Sequence, residues 1–120
     1  MRTVRIAFAT EKGGLDDRLA DRFGRAPTFT IVEVDLDTGE VKSVKVVQNP
    51  GATAGSGAGV KAAETVANEG AVLYVGPNPG PNAYAALQHL GVKIYTVTGV
   101  TVREALQRVL EEIKKGTIQL

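Results

Sequence analysis

Near the start of the chain, polar and apolar positions follow the two-residue period of β-strands. Val4 to Ala9 is a short run rich in strand formers. Thr28 to Asp35 (TFTIVEVD) alternates. So does Glu40 to Val47 (EVKSVKVV), whose valines interleave with charged or small residues and predict a strand with one wet face. Leu36-Asp37-Thr38-Gly39 between the last two reads as a hairpin turn, with Gly39 supplying positive φ. The period then changes. Val60 to Asn68 predicts a helix with Val60, Ala63 and Ala67 on one face and Gly70 as its stop. Ala71 to Val75 (AVLYV) is a continuous apolar run, as expected of a strand covered on both faces. Ala83 to Leu90 predicts a short helix closed by Gly91, and Val92 to Val97 a fifth strand. In the last segment Thr101 is placed to cap a helix, with Glu104 completing a capping box. Val102, Ala105, Leu106, Val109, Leu110 and Ile113 form its apolar stripe, and Gly116 ends it.

The order β-β-β-α-β-α-β-α predicts an α/β, ribonuclease-H-like fold, a five-stranded mixed sheet with three helices distributed over both faces. If strands one, three, four and five run parallel and strand two is reversed, loops 10–27, 48–59, 76–82 and 98–101 leave one carboxyl edge. Ligands of open α/β sheets bind at that edge. Three of these loops run into helix N-termini, where free N–H groups and the positive helix end favour anions.

Composition narrows the function. The 120 residues fit one domain, 1–120, with one core. Hydrophobic residues at 43% and charged residues at 22% describe a globular chain. A formal charge of +1 excludes a generally basic nucleic-acid binder. The absence of cysteine excludes disulfides, thiolate-held zinc or iron–sulfur clusters and a Cys nucleophile. No apolar run is long enough to span a bilayer. The start, Met1-Arg2-Thr3-Val4-Arg5, has no signal-peptide apolar segment, so the reading is a soluble cytoplasmic protein. Lys42 and Lys45 stand ready to protect strand three if it is a sheet edge.

Chemistry concentrates in the loops. Gly51 to Gly59 (GATAGSGAG) has almost no side chains, so its backbone can approach a ligand closely; the alternative is a flexible surface connection. It is neither a Walker A loop nor a dinucleotide fingerprint, because no Gly-Lys-Ser/Thr follows and Gly55, Gly57 and Gly59 are wrongly spaced. Gly76-Pro77-Asn78-Pro79-Gly80-Pro81-Asn82 is a stiffened turn with Pro81 suited to the first helical position. Arg18, Arg22 and Arg25 alternate with Asp16, Asp17 and Asp21, which reads either as an anion site or as a surface turn with internal ion pairs. Phe23 and Phe29 are expected to pack that loop onto the core. The single histidine, His89, falls in the last turn of a short helix and cannot build a metal site alone. Strands one and four carry no acid, which excludes two-metal hydrolysis at the sheet edge. Ser43 and Ser56 have no path to His89, so no hydrolase triad is expected.

Asp21-Arg22-Phe23-Gly24-Arg25-Ala26-Pro27-Thr28-Phe29 resembles the Phe-Gly-Arg-Ala-Pro signature of the dinitrogenase iron–molybdenum cofactor biosynthesis family. Asn49-Pro50 with the Gly-rich loop, then Gly76 to Ala83, are similar to small stand-alone archaeal and bacterial members, the branch that includes the orange protein. Gly91-Val92-Lys93-Ile94-Tyr95 and the Thr-Gly-x-Thr-Val entry to the last helix extend the resemblance from Val4 to about Gly116. It implies a ribonuclease-H-like fold and a carrier of metal–sulfur cofactors rather than an enzyme, with a molybdenum–copper sulfide cluster held non-covalently in the orange protein. Many members have His directly before Phe-Gly-Arg as the implied cofactor ligand. Here the position is Arg22, so imidazole ligation from it is lost.

The ligand consistent with these residues is an anionic metal–sulfur cluster containing molybdenum, with copper or iron as further metals, or its precursor. It brings its own sulfides, so the protein need supply only N–H donors and charge. Arg22 and Arg25 are expected to compensate charge. The amides of Gly55, Ser56, Gly57, Ala58 and Gly59 are expected to cradle it, and Asn78, Gly80 and Asn82 to close the other side. The partners expected are the cluster and an ATPase or cofactor-assembly protein, not nucleic acid or membrane. Two other classes stay open: an interaction module recovered with a stoichiometric partner without metal, and an enzyme acting on a phosphorylated small molecule.

Overall fold

The computed structural model describes residues 2–120, and Met1 of the segment leading into the first strand lies outside the described residues. Strands β1 (Thr3–Thr10), β2 (Thr28–Asp35) and β3 (Val41–Gln48) are followed by a short 3-10 turn (Pro50–Thr53) and helix α1 (Ala58–Asn68). Then come β4 (Ala71–Gly76), α2 (Pro81–His89), β5 (Lys93–Thr96) and α3 (Val102–Lys115). The five strands form one sheet in the order β3-β2-β1-β4-β5. β2 is antiparallel to both β1 and β3, while β4 is parallel to β1 and β5. Strands β1, β3, β4 and β5 therefore share a direction and a carboxyl edge, the arrangement the sequence analysis supposes.

β1 is the middle strand, and Ile6, Ala7, Phe8 and Ala9 are fully buried because both of its faces are covered. Its alternation divides the core in two. Ile6 and Phe8 join Val32, Val34, Leu73 and Val75 under α3, which contributes Val102, Ala105, Leu106 and Val109. Ala7 and Ala9 join Phe29, Ile31 and Tyr74 under α1 and α2, and their small side chains leave room there for the ring of Phe23. The single core expected from chain length is thus two layers, separated by the sheet.

α3 follows the sequence pattern closely. The Thr101 hydroxyl accepts from the Glu104 amide at 3.2 Å while the Glu104 carboxylate accepts from the Thr101 amide at 3.2 Å. Gly116 closes the helix at φ +82°. α1 departs from its prediction. It begins at Ala58 rather than Val60, and its inward face carries Ala62, Ala63 and Val66 instead of Val60, Ala63 and Ala67, leaving Val60 41% exposed. β3 also departs from the expectation of a single wet face. As the outermost strand it is exposed on both, with Val44 and Val46 facing solvent on one side. Lys42 and Lys45 on this edge pair with Glu40 at 2.5 Å and Glu69 at 2.9 Å. No helix among the described residues is long and apolar enough to cross a membrane.

Candidate functional site

The strand order changes direction between β1 and β4: the chain leaves β1 toward β2 on one side and leaves β4 toward β5 on the other. That divergence opens a crevice at the carboxyl edge. Three segments meet there: the loop after β1, the segment 49–59, and the loop 77–80 after β4.

The loop after β1 is held at its start by a single acid. The amides of Glu11, Lys12 and Gly13 donate to one Asp17 carboxylate oxygen at 3.0, 2.9 and 2.8 Å. Burial pushes the Asp17 carboxyl up, but hydrogen bonds from the amides of Gly13, Lys12, Glu11 and Arg18 outweigh it and hold the group below its ordinary value of 3.8. The folded state then binds fewer protons than the unfolded chain. The stability this contributes is present above about pH 4 and is lost as the pH falls through the folded-state value. Asp17→Asn is expected to be less stable than the wild type at pH 7 and to show a flatter stability profile between pH 5 and 2, read from urea midpoints across that range.

Further along, the loop closes off α3. The Val102 and Arg103 amides donate to the carbonyls of Asp17 and Leu15 at 2.9 and 2.8 Å, and Thr101 and Glu104 complete the cap. Of the three helix starts that the sequence analysis treats as anion sites, this one has its donors consumed. Among the described residues the acids and arginines of the loop do not pair with one another either. Asp16 pairs with Arg103 at 3.0 Å, and Arg18 donates to the Gly99 carbonyl at 3.1 Å. Phe23 turns inward, 2% exposed, against Phe29 (ring centroids 5.5 Å apart) and Tyr74 (4.6 Å, edge-on).

α1 and α2 begin differently. Their caps are Gly57 (φ +68°) and Gly80 (φ +84°), neither with a side chain to cap with, and neither helix has an acid in its first turn. Pro81 occupies the first position of α2, as its sequence suggests. The amides of Ala58, Gly59, Val60, Asn82 and Ala83 have no partner among the described residues. The two starts are pressed together: a Cβ added at Gly59 would lie 3.0 Å from the Cβ of Ala83, and one added at Gly24 3.0 Å from the Gly59 nitrogen. A Cβ at Gly51 would lie 2.5 Å from the Ala58 carbonyl oxygen. Glycine at these positions is a packing requirement that brings loop one, the 3-10 turn and both helix starts into contact.

The predicted site residues fall as follows. Gly55 and Ser56 are exposed in the approach to α1, and Gly57 is its cap. Ala58 and Gly59, expected in the loop, are instead in the first turn of the helix, because the segment 49–59 contains a 3-10 turn and an early helix start rather than loop throughout. Gly80 caps α2, and Asn82 is exposed in its first turn. The Asn78 side chain accepts from the Gly80 amide at 3.1 Å and holds its own turn. Arg22 and Arg25 line a shallow cleft of about 290 Å³ with Glu11, Ala20, Asp21, Ala26 and Pro27. Arg22 is exposed and makes no hydrogen bond or ion pair among the described residues, whereas Arg25 donates to the Ala54 carbonyl at 2.5 Å. His89 is at the far end of α2, away from this edge.

Asn49 holds the junction of these segments together, a role outside the predicted site residues. Buried at 4%, it donates to the carbonyls of Gly24 at 3.1 Å and Ala26 at 2.8 Å and accepts from the Gly51 amide at 2.9 Å. The signal for it was the Asn-Pro pair: Asn before a proline at the first position of a turn is a natural cap. Among the described residues no group of three His, Cys, Asp or Glu side chains could hold a metal ion. What the described residues bring to this edge are free amides and two exposed arginines.

The sequence model of the dinitrogenase iron-molybdenum cofactor family matches residues 2–112. The chain belongs to this family. Within it, the chain is 39% identical to the apo form of the orange protein from Desulfovibrio gigas, with a TM-score of 0.78 over 89% of this chain and 87% of that one. A Thermotoga protein with a provisional NifB assignment, solved by NMR, is 32% identical with a TM-score of 0.68, covering 94% of this chain and 89% of that one. An uncharacterised protein of Methanocaldococcus jannaschii is 31% identical over 80% of each chain. Membership links the chain to metal-cofactor handling, as a carrier or in biosynthesis, and the architecture is the one these relatives share.

Proposed function

We propose that this chain is a non-catalytic carrier for an anionic metal–sulfur cluster or its precursor, held without covalent attachment where α1 and α2 begin. The observation that supports this most directly is the pair of adjacent, uncapped helix starts. Two positive helix ends pressed side by side repel each other unless an anion lies against them. Neither helix supplies a first-turn acid to do this, while α3, on the opposite face, carries its own cap. The donor set selects the kind of anion. With no cysteine and no cluster of metal-binding side chains among the described residues, a bare metal ion has nothing to bind to. A thiometallate arrives with its coordination sphere filled by sulfide and needs only N–H donors and a compensating charge, which Arg22 supplies. Molybdenum is the metal we assign, on the iron-molybdenum cofactor that the family is named for, with copper(I) tested as a second metal.

The test is a visible-absorption titration of the purified protein with tetrathiomolybdate, with and without copper(I), followed by gel filtration. Colour is expected to travel with the protein at a fixed metal ratio. Arg22→Ala is expected to weaken binding about threefold at low salt, the size of one exposed charge acting on an anion. Colour that separates from the wild-type protein on the column overturns the reading. Stabilisation by nucleotides or sugar phosphates without stabilisation by tetrathiomolybdate would replace it with a phosphate-ligand enzyme.

A further inference from the structure

The two arginines of the Phe-Gly-Arg segment stand in different surroundings. Both are exposed and line the same cleft, but Arg22 is free of hydrogen bonds and ion pairs among the described residues. One terminal nitrogen of Arg25 instead faces three main-chain carbonyls, those of Ala54 at 2.5 Å, Gly51 at 3.4 Å and Ala52 at 3.5 Å. These carbonyls belong to the 3-10 turn Pro50–Thr53 and its C-terminal cap, Ala54. A cation at the carbonyl end of a helical turn has its charge answered locally by the peptide dipoles. Without it, the carbonyls would present partial negative charge on the approach to the amides of α1. On the neighbouring side, Asn49 joins the same turn to Gly24 and Ala26.

We propose that Arg25 is a positioning residue, which fixes the 3-10 turn and with it the start of α1, and that Arg22 alone carries the charge that meets the cargo. This rests on the proposed cluster site for its consequence, but not for its geometry. The division of labour makes two predictions that differ in kind. Removing Arg25 loosens the turn in the empty protein and weakens cargo binding without changing how binding responds to salt. Removing Arg22 leaves the turn intact and reduces the salt dependence of binding, because its charge, unlike that of Arg25, has no main-chain carbonyls against it and acts through solvent.

The experiment compares wild type, Arg25→Ala, Arg25→Lys and Arg22→Ala. Amide hydrogen exchange on the empty proteins reads the turn through the Ala52 and Ala54 amides, which bond to the carbonyls of Asn49 and Gly51. Tetrathiomolybdate titrations at several salt concentrations read the charge. Arg25→Ala is expected to speed exchange at these amides and to weaken binding by roughly tenfold to a hundredfold, the usual effect of removing a residue that orients a site. Its salt slope should equal that of the wild type. Arg25→Lys should recover most of the protection, since an ammonium also donates to carbonyls. Arg22→Ala should leave exchange unchanged and flatten the salt slope. Unchanged exchange in Arg25→Ala, or a salt slope flattened as in Arg22→Ala, overturns the assignment. If the wild type binds no tetrathiomolybdate, the carrier reading fails, while the exchange comparison still decides the role of Arg25.

Discussion

Phe23→Ala is expected to lower the unfolding free energy by about 3–5 kcal/mol, the range for truncating a buried aromatic ring. Domains of this size are stable by about 5–15 kcal/mol, so the variant should sit close to the limit of folding. The ring is 2% exposed and packs on Phe29 and edge-on to Tyr74. Both partners belong to the sheet, while Phe23 belongs to the loop that follows β1. A loop of this length is ordered only if its own side chains dock, and Leu19, Ala20, Phe23 and Ala26 do so. Phe23 is the large residue among those on the α1 and α2 side, and the alanines of β1 beneath it cannot move in to fill its place. Urea denaturation should show a lower midpoint with an unchanged slope. Tyr74 gives an independent readout: its hydroxyl donates to the Pro77 carbonyl at 2.7 Å, so a loosened ring stack should be felt in the loop that leads to α2. A loss below about 1.5 kcal/mol, the size of a volume-conserving swap, would mean that the ring does not anchor the loop.

This packing was legible in the sequence, because an aromatic flanked by charged residues in a Gly-punctuated segment has a clear place to go. The strands, the hairpin at Gly39 and the capped last helix were legible for the same reason: each follows from local pattern and local hydrogen bonding. The candidate site was legible only in outline. That three loops gather at one edge follows from strand direction, which the element order implies. That α3 is closed to ligands does not, because its donors are taken by carbonyls of Leu15 and Asp17, far away in the chain. The roles of Gly24, Gly51 and Gly59 were hidden for a related reason. A glycine required by a positive φ has a local signature in a turn, whereas a glycine required by a neighbouring backbone has one only in three dimensions. Arg22 and Arg25 illustrate the limit best. Three positions apart and chemically identical, they differ only in what the fold places beside them.

Asn49→Asp is expected to destabilise the protein in a pH-dependent way that Asn49→Ala is not. The native amide group donates to two carbonyls and accepts from one amide, and the residue is 4% exposed. Alanine leaves all three of these groups unpaired next to the packed glycines, a loss of roughly 3 kcal/mol, given about 1–3 kcal/mol for each buried unsatisfied group and partial relief by water. The aspartate variant has nearly the same shape and keeps the acceptor for the Gly51 amide. Its other oxygen, however, faces the carbonyls of Gly24 and Ala26, and once ionised it has nothing to donate. Burial against two carbonyl oxygens raises the folded-state pKa of the introduced carboxyl above its unfolded value of about 3.9. Between those values the folded state binds more protons than the unfolded chain, so stability falls as the pH climbs from about 4. The sign is opposite to that of Asp17, whose lowered pKa adds stability over the rise through pH 4. Subtracting wild-type from variant stability at each pH removes the Asp17 contribution, because the two carboxyls are in separate segments, Asp17 in the loop after β1 and residue 49 in the segment after β3. The difference should widen from pH 4 to pH 7 for Asn49→Asp and stay constant for Asn49→Ala. A constant difference in both would mean that water reaches the Asn49 amide and that the junction of loop one with the 3-10 turn is open. In that case the glycine contacts alone would have to hold the two helix starts together.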